Sequence, residues 1–142
     1  MFTGEDRPSL PPVQGPLPLA YRWLVAHGLI HFKPWHIAPD PDDGGASRAA
    51  FRIETGYRRD VLPFARRQDN DDTAGFEIID GRPTSRVIAY HPAFVNRLNA
   101  HLIDAEFDDL WSFLAARVVD DMRWWADESE LDAMGEVGES EG

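Results

Sequence analysis

Residues 63 to 78 read PFARRQDNDDTAGFEI. An apolar pair, two arginines, a carboxylate cluster and a second apolar run follow one another, a pattern open to three readings: a calcium loop, an acid-base site or the tip of a β-hairpin. Asp69, Asp71 and Thr73 stand at the first, third and fifth positions of an EF-hand-like loop. Position six is Ala74 where that loop needs Gly, and position twelve is Asp80 where it needs Glu. Phe76 to Ile79 also reads as strand, so the helix that should follow a calcium loop is missing. Acid-base chemistry needs one carboxyl held in an apolar pocket beside another left ionised. Here the acids are clustered beside Arg66 and Arg67, and pairing of these arginines with Asp69, Asp71 or Asp72 is the simpler reading.

Working outward, Ala74, Phe76 and Ile78 alternate with Gly75 and Glu77, the period of a half-buried strand. Val61 to Ala65 and Arg86 to Tyr90 read as strands on either side. Asp80-Gly81 supplies a tight turn between the second and third. The expected core of the fold is an antiparallel meander. Upstream, Leu17, Tyr21, Leu24 and Val25 have helical spacing, with Pro18 suited to the first turn and Gly28 to the stop. Residues 33 to 45, KPWHIAPDPDDGG, read as loop, with Trp35 plugging the edge of the core. Residues 46 to 57 fit helix or strand, and a short helix is favoured. Residues 92 to 105 carry only a weak pattern. Phe107, Leu110, Trp111, Leu114, Val118 and Met122 then form the apolar stripe of a long C-terminal helix, with Asp104 as N-cap and Asp108 and Asp109 near its positive end.

A chain of 142 residues has room for one substantial core. The expected organisation is a flexible lead-in over 1 to 15, one α+β domain over 16 to 125 and an acidic, disordered tail over 126 to 142. Of the net charge of −11, seven negative charges fall in that tail, leaving −4 on the remainder. The balance disfavours direct binding of nucleic acid and weakly favours cationic partners. No apolar run reaches the length of a membrane span, and MFTGEDRPSLPPVQGPLP lacks the basic start and apolar block of a secretion signal, so a cytoplasmic protein is expected. The chain has no cysteine, which excludes thiolate nucleophiles and thiolate metal sites. All basic residues but Lys33 are arginine.

Other chemistry finds little support. His27 and His31 have helical metal-ligand spacing, but Gly28 ends the helix between them, and His36, His91 and His101 complete no motif. No G-x-S-x-G elbow is present. Gly44-Gly45 could cradle phosphate but is crowded by Asp40, Asp42 and Asp43. The expectation is therefore no catalytic residue, no metal and no cofactor. Trp124 and Trp125 are adjacent on the last helix and cannot both face one core, so one of them is expected at the surface as a partner contact.

LPFARRQDNDDTAGFEI, a turn, RVIAYH, a variable connection and EFDDLWSFLAARVVDDM together resemble the SUKH superfamily. Its members are bacterial immunity proteins of polymorphic toxin systems and their relatives among fungal cell-wall-synthesis regulators. The resemblance rests on Leu62, Pro63, Phe64 and Ala65, on Asp71, Asp72 and Phe76, on Val87 and Ile88, and on Phe107, Leu110 and Phe113, with Pro34-Trp35 similar to an upstream feature. It implies an antiparallel sheet with helices packed on one side, a solvated hairpin tip and no catalysis. Its functional implication is a protein that binds and occludes a cognate toxin domain, such as a nuclease. Asp69, Asp71, Asp72, Trp124 and Trp125 are the candidate contacts. A regulatory interaction module of the same fold is the alternative, and a small carboxylate hydrolase the third.

Overall fold

The structure, a computed structural model, describes residues 10 to 130. Six strands form one antiparallel sheet in simple chain order: β1 (His31–Phe32), β2 (Trp35–Ile37), β3 (Asp60–Arg67), β4 (Thr73–Ile79), β5 (Arg82–Tyr90) and β6 (Ile103–Phe107). Helix α1 (Leu19–Ala26) precedes the sheet, α2 (Ala46–Glu54) connects β2 to β3, and a long helix, α3 (110–130), closes the described chain. This is the α+β meander expected. No helix among the described residues is long and apolar enough to cross a membrane.

Alternation along the central strands sends side chains into two layers. Phe64, Phe76, Val87 and Ala89 enter the larger one, where they meet Tyr21 and Leu24 of α1 and Leu110, Phe113 and Val118 of α3. Phe64 and Phe76 stack at 4.3 Å between ring centres, with Tyr21 edge-on to both. Val61, Ile88 and Tyr90 point the other way and are covered by Phe51 of α2 and by Leu102. Helices on one side of the sheet thus describes α1 and α3; α2 lies on the opposite face.

Two residues of the central strands are there for backbone reasons. Pro63 lies inside β3, where a missing N–H normally breaks a ladder. It is tolerated because the β3–β4 register shifts between Pro63 and Ala65, and because the Pro63 carbonyl accepts from the Asp42 N–H at 2.9 Å. Gly75 sits opposite Pro63, and a Cβ there would lie 2.5 Å from the Val61 side chain and 2.9 Å from the Leu62 carbonyl oxygen. The β4–β5 turn is the expected Asp80-Gly81, with φ of +53° and +76° at the two positions.

Several expectations are corrected. Residues 33 to 45 are not all loop: Trp35, His36 and Ile37 form β2, and Lys33-Pro34, with a cis peptide bond, makes the two-residue turn from β1. Trp35 is buried within the main core rather than at its edge. Asp104 lies in β6, as does Phe107, and the N-cap of α3 is Asp109, whose carboxylate accepts from the Ser112 N–H at 2.8 Å. That bond holds the Asp109 carboxyl below its ordinary pKa. Trp111, expected in the buried stripe, is half exposed and meets Trp23 of α1. The cause is the π-helical turn Leu114–Val118. Each residue of a π turn advances through a smaller angle than in an α turn, so Val118 falls back into line with Leu110 and Phe113, and Trp111 is left outside.

The ends of the chain depart from the sequence reading where they are described. Residues 10 to 15 are irregular but fastened: the Gln14 N–H donates to Gly81, and the Pro11 carbonyl accepts from Arg48. α3 continues through Ala126–Glu130. The rest of the expected flexible lead-in, residues 1 to 9, and of the expected acidic tail, residues 131 to 142, lies outside the described residues.

Buried charge organises the second face. Arg48, 1% exposed, donates twice to Asp60 and once each to the Asp43 and Pro11 carbonyls. Arg59 bridges Glu77 and Glu106, and the hydrogen bond from Arg59 is the main reason the Glu106 carboxyl is held below its ordinary pKa. Glu54, 2% exposed, accepts from the Ala93 and Phe94 N–H groups and from the Asn99 amide, which fixes the irregular segment 92 to 102. Both carboxylate oxygens are used, so an amide cannot replace it: the glutamine NH2 would face one of the donors. Glu54→Gln is expected to cost about 1–3 kcal/mol in urea denaturation, with faster amide exchange at Ala93 and Phe94.

Candidate partner-binding surface

The β3–β4 tip is shaped by its own side chains. The Arg67 N–H donates to the Asp72 carbonyl at 2.9 Å and closes the loop, while the Asn70 side chain accepts from the Asp72 N–H at 2.8 Å. This is the turn chemistry for which Asn and Asp are suited. A further bond from the Gln68 N–H to the Pro34 carbonyl ties the tip to the β1–β2 turn. Three features of the sequence, the cis-proline turn, the acidic tip and the end of α3, thereby meet at one edge of the sheet.

Ion pairs fasten that edge. Arg67 donates to both oxygens of Asp69, at 2.9 and 2.8 Å, and its other amino group reaches Asp121 of α3 at 3.3 Å. Asp121 also accepts from the Trp35 indole N–H at 2.8 Å and from Arg117 at 3.1 Å. Arg117 continues to Asp104 and to Asp72, and the second Asp72 oxygen meets His91 Nδ1 at 2.7 Å. Burial opposes the Arg117 charge, but hydrogen bonds and attraction from Asp104 and Asp121 outweigh it, so its pKa is raised overall. Arg67 is 11% and Asp121 18% exposed, so salt screens these pairs less than surface pairs.

The tryptophans complete the edge. Trp124 is half exposed, with the Arg67 guanidinium carbon 5.9 Å from its ring centre. Trp125 is half buried, with the Lys33 ammonium 5.6 Å from its ring, and its indole N–H is buried without an acceptor among the described residues. Cation–π contact of this kind orients an aromatic ring without covering it.

All five candidate residues are thus brought to one edge, but their states differ. Asp69 is paired with Arg67, as the clustering of arginines and carboxylates suggested, whereas Asp72 is neither solvated, as the resemblance implies, nor paired with Arg66 or Arg67, but is engaged by Arg117 and His91. Asp71 remains at the surface, 54% exposed, with Arg66 3.7 Å away and 62% exposed. Arg117, Asp121 and His91, which hold the tip to α3, were missed; the i, i+4 spacing of Arg117 and Asp121 was the available signal. A shallow groove lies beside the tip, lined by His36, Arg66, Gln68, Asn70 and Asp71. No group of three or more His, Cys, Asp or Glu side chains is placed to hold a metal among the described residues. What this surface offers is contact: an exposed indole on a rigid mount, beside exposed charge.

Arg117→Met should therefore loosen the tip, raising amide exchange through residues 70 to 73 and lowering stability by more than about 1 kcal/mol. Arg66→Ala, which removes only an exposed pair, should change stability by less than about 0.5 kcal/mol.

Comparison of the chain with protein-family models, with curated proteins and with solved structures returns no match.

Proposed function

We propose that the chain is a non-catalytic protein-binding domain that captures a partner with a basic surface through the edge formed by the β3–β4 tip and α3. In keeping with the resemblance to SUKH immunity proteins, the proposed partner is a toxin domain, neutralised by occlusion. The observation that carries this reading is Trp124. It is half exposed, yet its mount is fixed by Arg67, which is itself held by Asp69 and Asp121. An aromatic anchor that is ordered before binding loses little conformational freedom on association, and such residues dominate interface energetics.

Charge around the anchor sets the class of partner. Asp120 precedes Trp124 by one helical turn, Asp127 and Glu128 follow it, and all three are exposed, as is Asp71 on the tip. Arg66, Arg123 and Lys33, the last over the Trp125 ring, are exposed cations at the same edge, so these four exposed carboxylates face three exposed cations there. Complementary charge raises encounter rates and suppresses wrong partners, which suits the capture of a protein whose own ligand is polyanionic.

The test is a tagged pull-down from the native cell, with salt varied in the wash and the retained proteins identified by mass spectrometry. One dominant partner carrying a toxin domain is expected, with association slowed by salt and Kd raised on the order of 30-fold by Trp124→Ala, equivalent to about 2 kcal/mol. Recovery of housekeeping proteins alone, or a toxin partner indifferent to Trp124→Ala, would contradict the proposal.

A further inference from the structure

His31 and His36 were set aside in the sequence because no motif spacing joins them, yet the β1–β2 hairpin makes them direct cross-strand partners. Their Nδ1 atoms lie 3.2 Å apart, with ring centres at 5.5 Å and the planes inclined by 74°. His31 is exposed and His36 partly buried, so the pair lies at the surface. Two imidazole nitrogens about 2.05 Å from a common ion, subtending about 100°, stand about 3.1 Å apart. The pair already has the bite of a chelate.

The tautomer is set in its favour. His36 Nε2 lies 2.6 Å from Gln68 Oε1. An amide oxygen only accepts, so the proton of His36 is on Nε2 and its Nδ1 lone pair is free for a ligand bond. This is the outer hydrogen bond that metal-binding histidines commonly make, since it fixes ring orientation and raises ligand basicity. In the metal-free chain the 3.2 Å contact is then a hydrogen bond in which His31 Nδ1 donates to His36 Nδ1, and a bound ion displaces that proton, leaving His31 protonated on Nε2. A small rotation about the Cβ–Cγ bonds, which are soft for histidine, then turns both Nδ1 lone pairs toward one point.

We propose that His31 and His36 form a bidentate site for a nitrogen-preferring divalent transition ion, completed by water. The ion classes follow from the donor set: Cu2+ binds most tightly, Ni2+ and Zn2+ less so, while Mg2+ and Ca2+, which require oxygen ligands, do not compete. Among the described residues no third protein ligand stands at the site, and the next side chain in the row, Arg66, adds a repulsive charge that is turned toward Asp71. Both features make the site a labile one, open to exchange. Protons compete for the same nitrogens, so binding an ion releases protons and is weakened by acid.

The experiment is titration of the full chain with Cu2+, read by electron paramagnetic resonance, and with Zn2+, read by calorimetry. One ion per chain is expected, with hyperfine structure from two nitrogens, and with Kd raised at least tenfold in either His31→Gln or His36→Gln. His31 is exposed on the edge strand, so its replacement leaves the fold intact and the loss of binding interpretable. The combined variant His27→Ala and His101→Ala should retain the signal. Binding that persists in His31→Gln and His36→Gln, or that disappears in the variant lacking His27 and His101, would overturn the proposal.

Discussion

Asp121 is the residue at which this edge of the molecule is joined. One of its oxygens accepts from Trp35 on β2 and from Arg117 one turn earlier on α3, and stands 3.3 Å from the Arg67 guanidinium at the end of β3 as an ion pair. A carboxylate this little exposed is costly to hold unless it is paired, and here the three partners come from three separate elements. The same contacts that satisfy the charge therefore fix where α3 lies across the sheet. They also hold Trp124 one turn further on, so the geometry of the exposed indole is inherited from a buried ion pair.

The rest of the fold follows a similar rule. The aromatic layer of Phe64, Phe76, Tyr21 and Phe113 supplies the burial that drives folding, but it does not specify how the irregular segments run. Those segments are tied by single charged groups: Arg48 for the lead-in and the 42 to 45 loop, Glu54 for residues 92 to 102, Arg67 and Arg117 for the β3–β4 tip. Arginine suits this work because its planar fork satisfies a carboxylate with two bonds at once, as Arg48 does with Asp60 and Arg67 with Asp69. The near-exclusive use of arginine among the basic residues, which looks like coding bias in the composition, has a structural use in at least seven ion-paired positions: 48, 52, 59, 66, 67, 86 and 117.

Legibility in the sequence divides along the same line. β3, β4 and β5 and the Asp80-Gly81 turn were readable because alternation and positive φ leave local signatures. α1 was readable from helical spacing, whereas the residues of α2 fit helix and strand periods alike and the helix was only the favoured choice. β1 and β2 were not readable: they are two and three residues long, in a proline-rich stretch, and exist because β3 offers them an edge. β6 was lost because residues 92 to 105 carry only a weak pattern and because Asp104 and Phe107 read as the start of a helix whose cap is Asp109. Trp111 was misplaced by assuming one uniform helical period. The candidate surface was half legible: clustering of Asp69, Asp71 and Asp72 and adjacency of Trp124 and Trp125 marked the parts. That Arg67, Arg117 and Asp121 join them depends on contacts between residues about 50 positions apart. The pairing of His31 with His36 was invisible for the same reason as β1 itself.

A binding surface assembled in advance is the central claim, and its test is energetic coupling between the tip and α3. A double-mutant cycle with Arg67→Ala and Asp121→Ala, measured by urea denaturation, addresses it directly, since the two residues share the bond that joins the elements. The two substitutions together should cost less than the sum of their separate effects, with a coupling energy of about 1–3 kcal/mol that persists in high salt. Additive effects, with coupling below about 0.3 kcal/mol, would mean that the tip and the helix are independent neighbours and that Trp124 has no fixed mount.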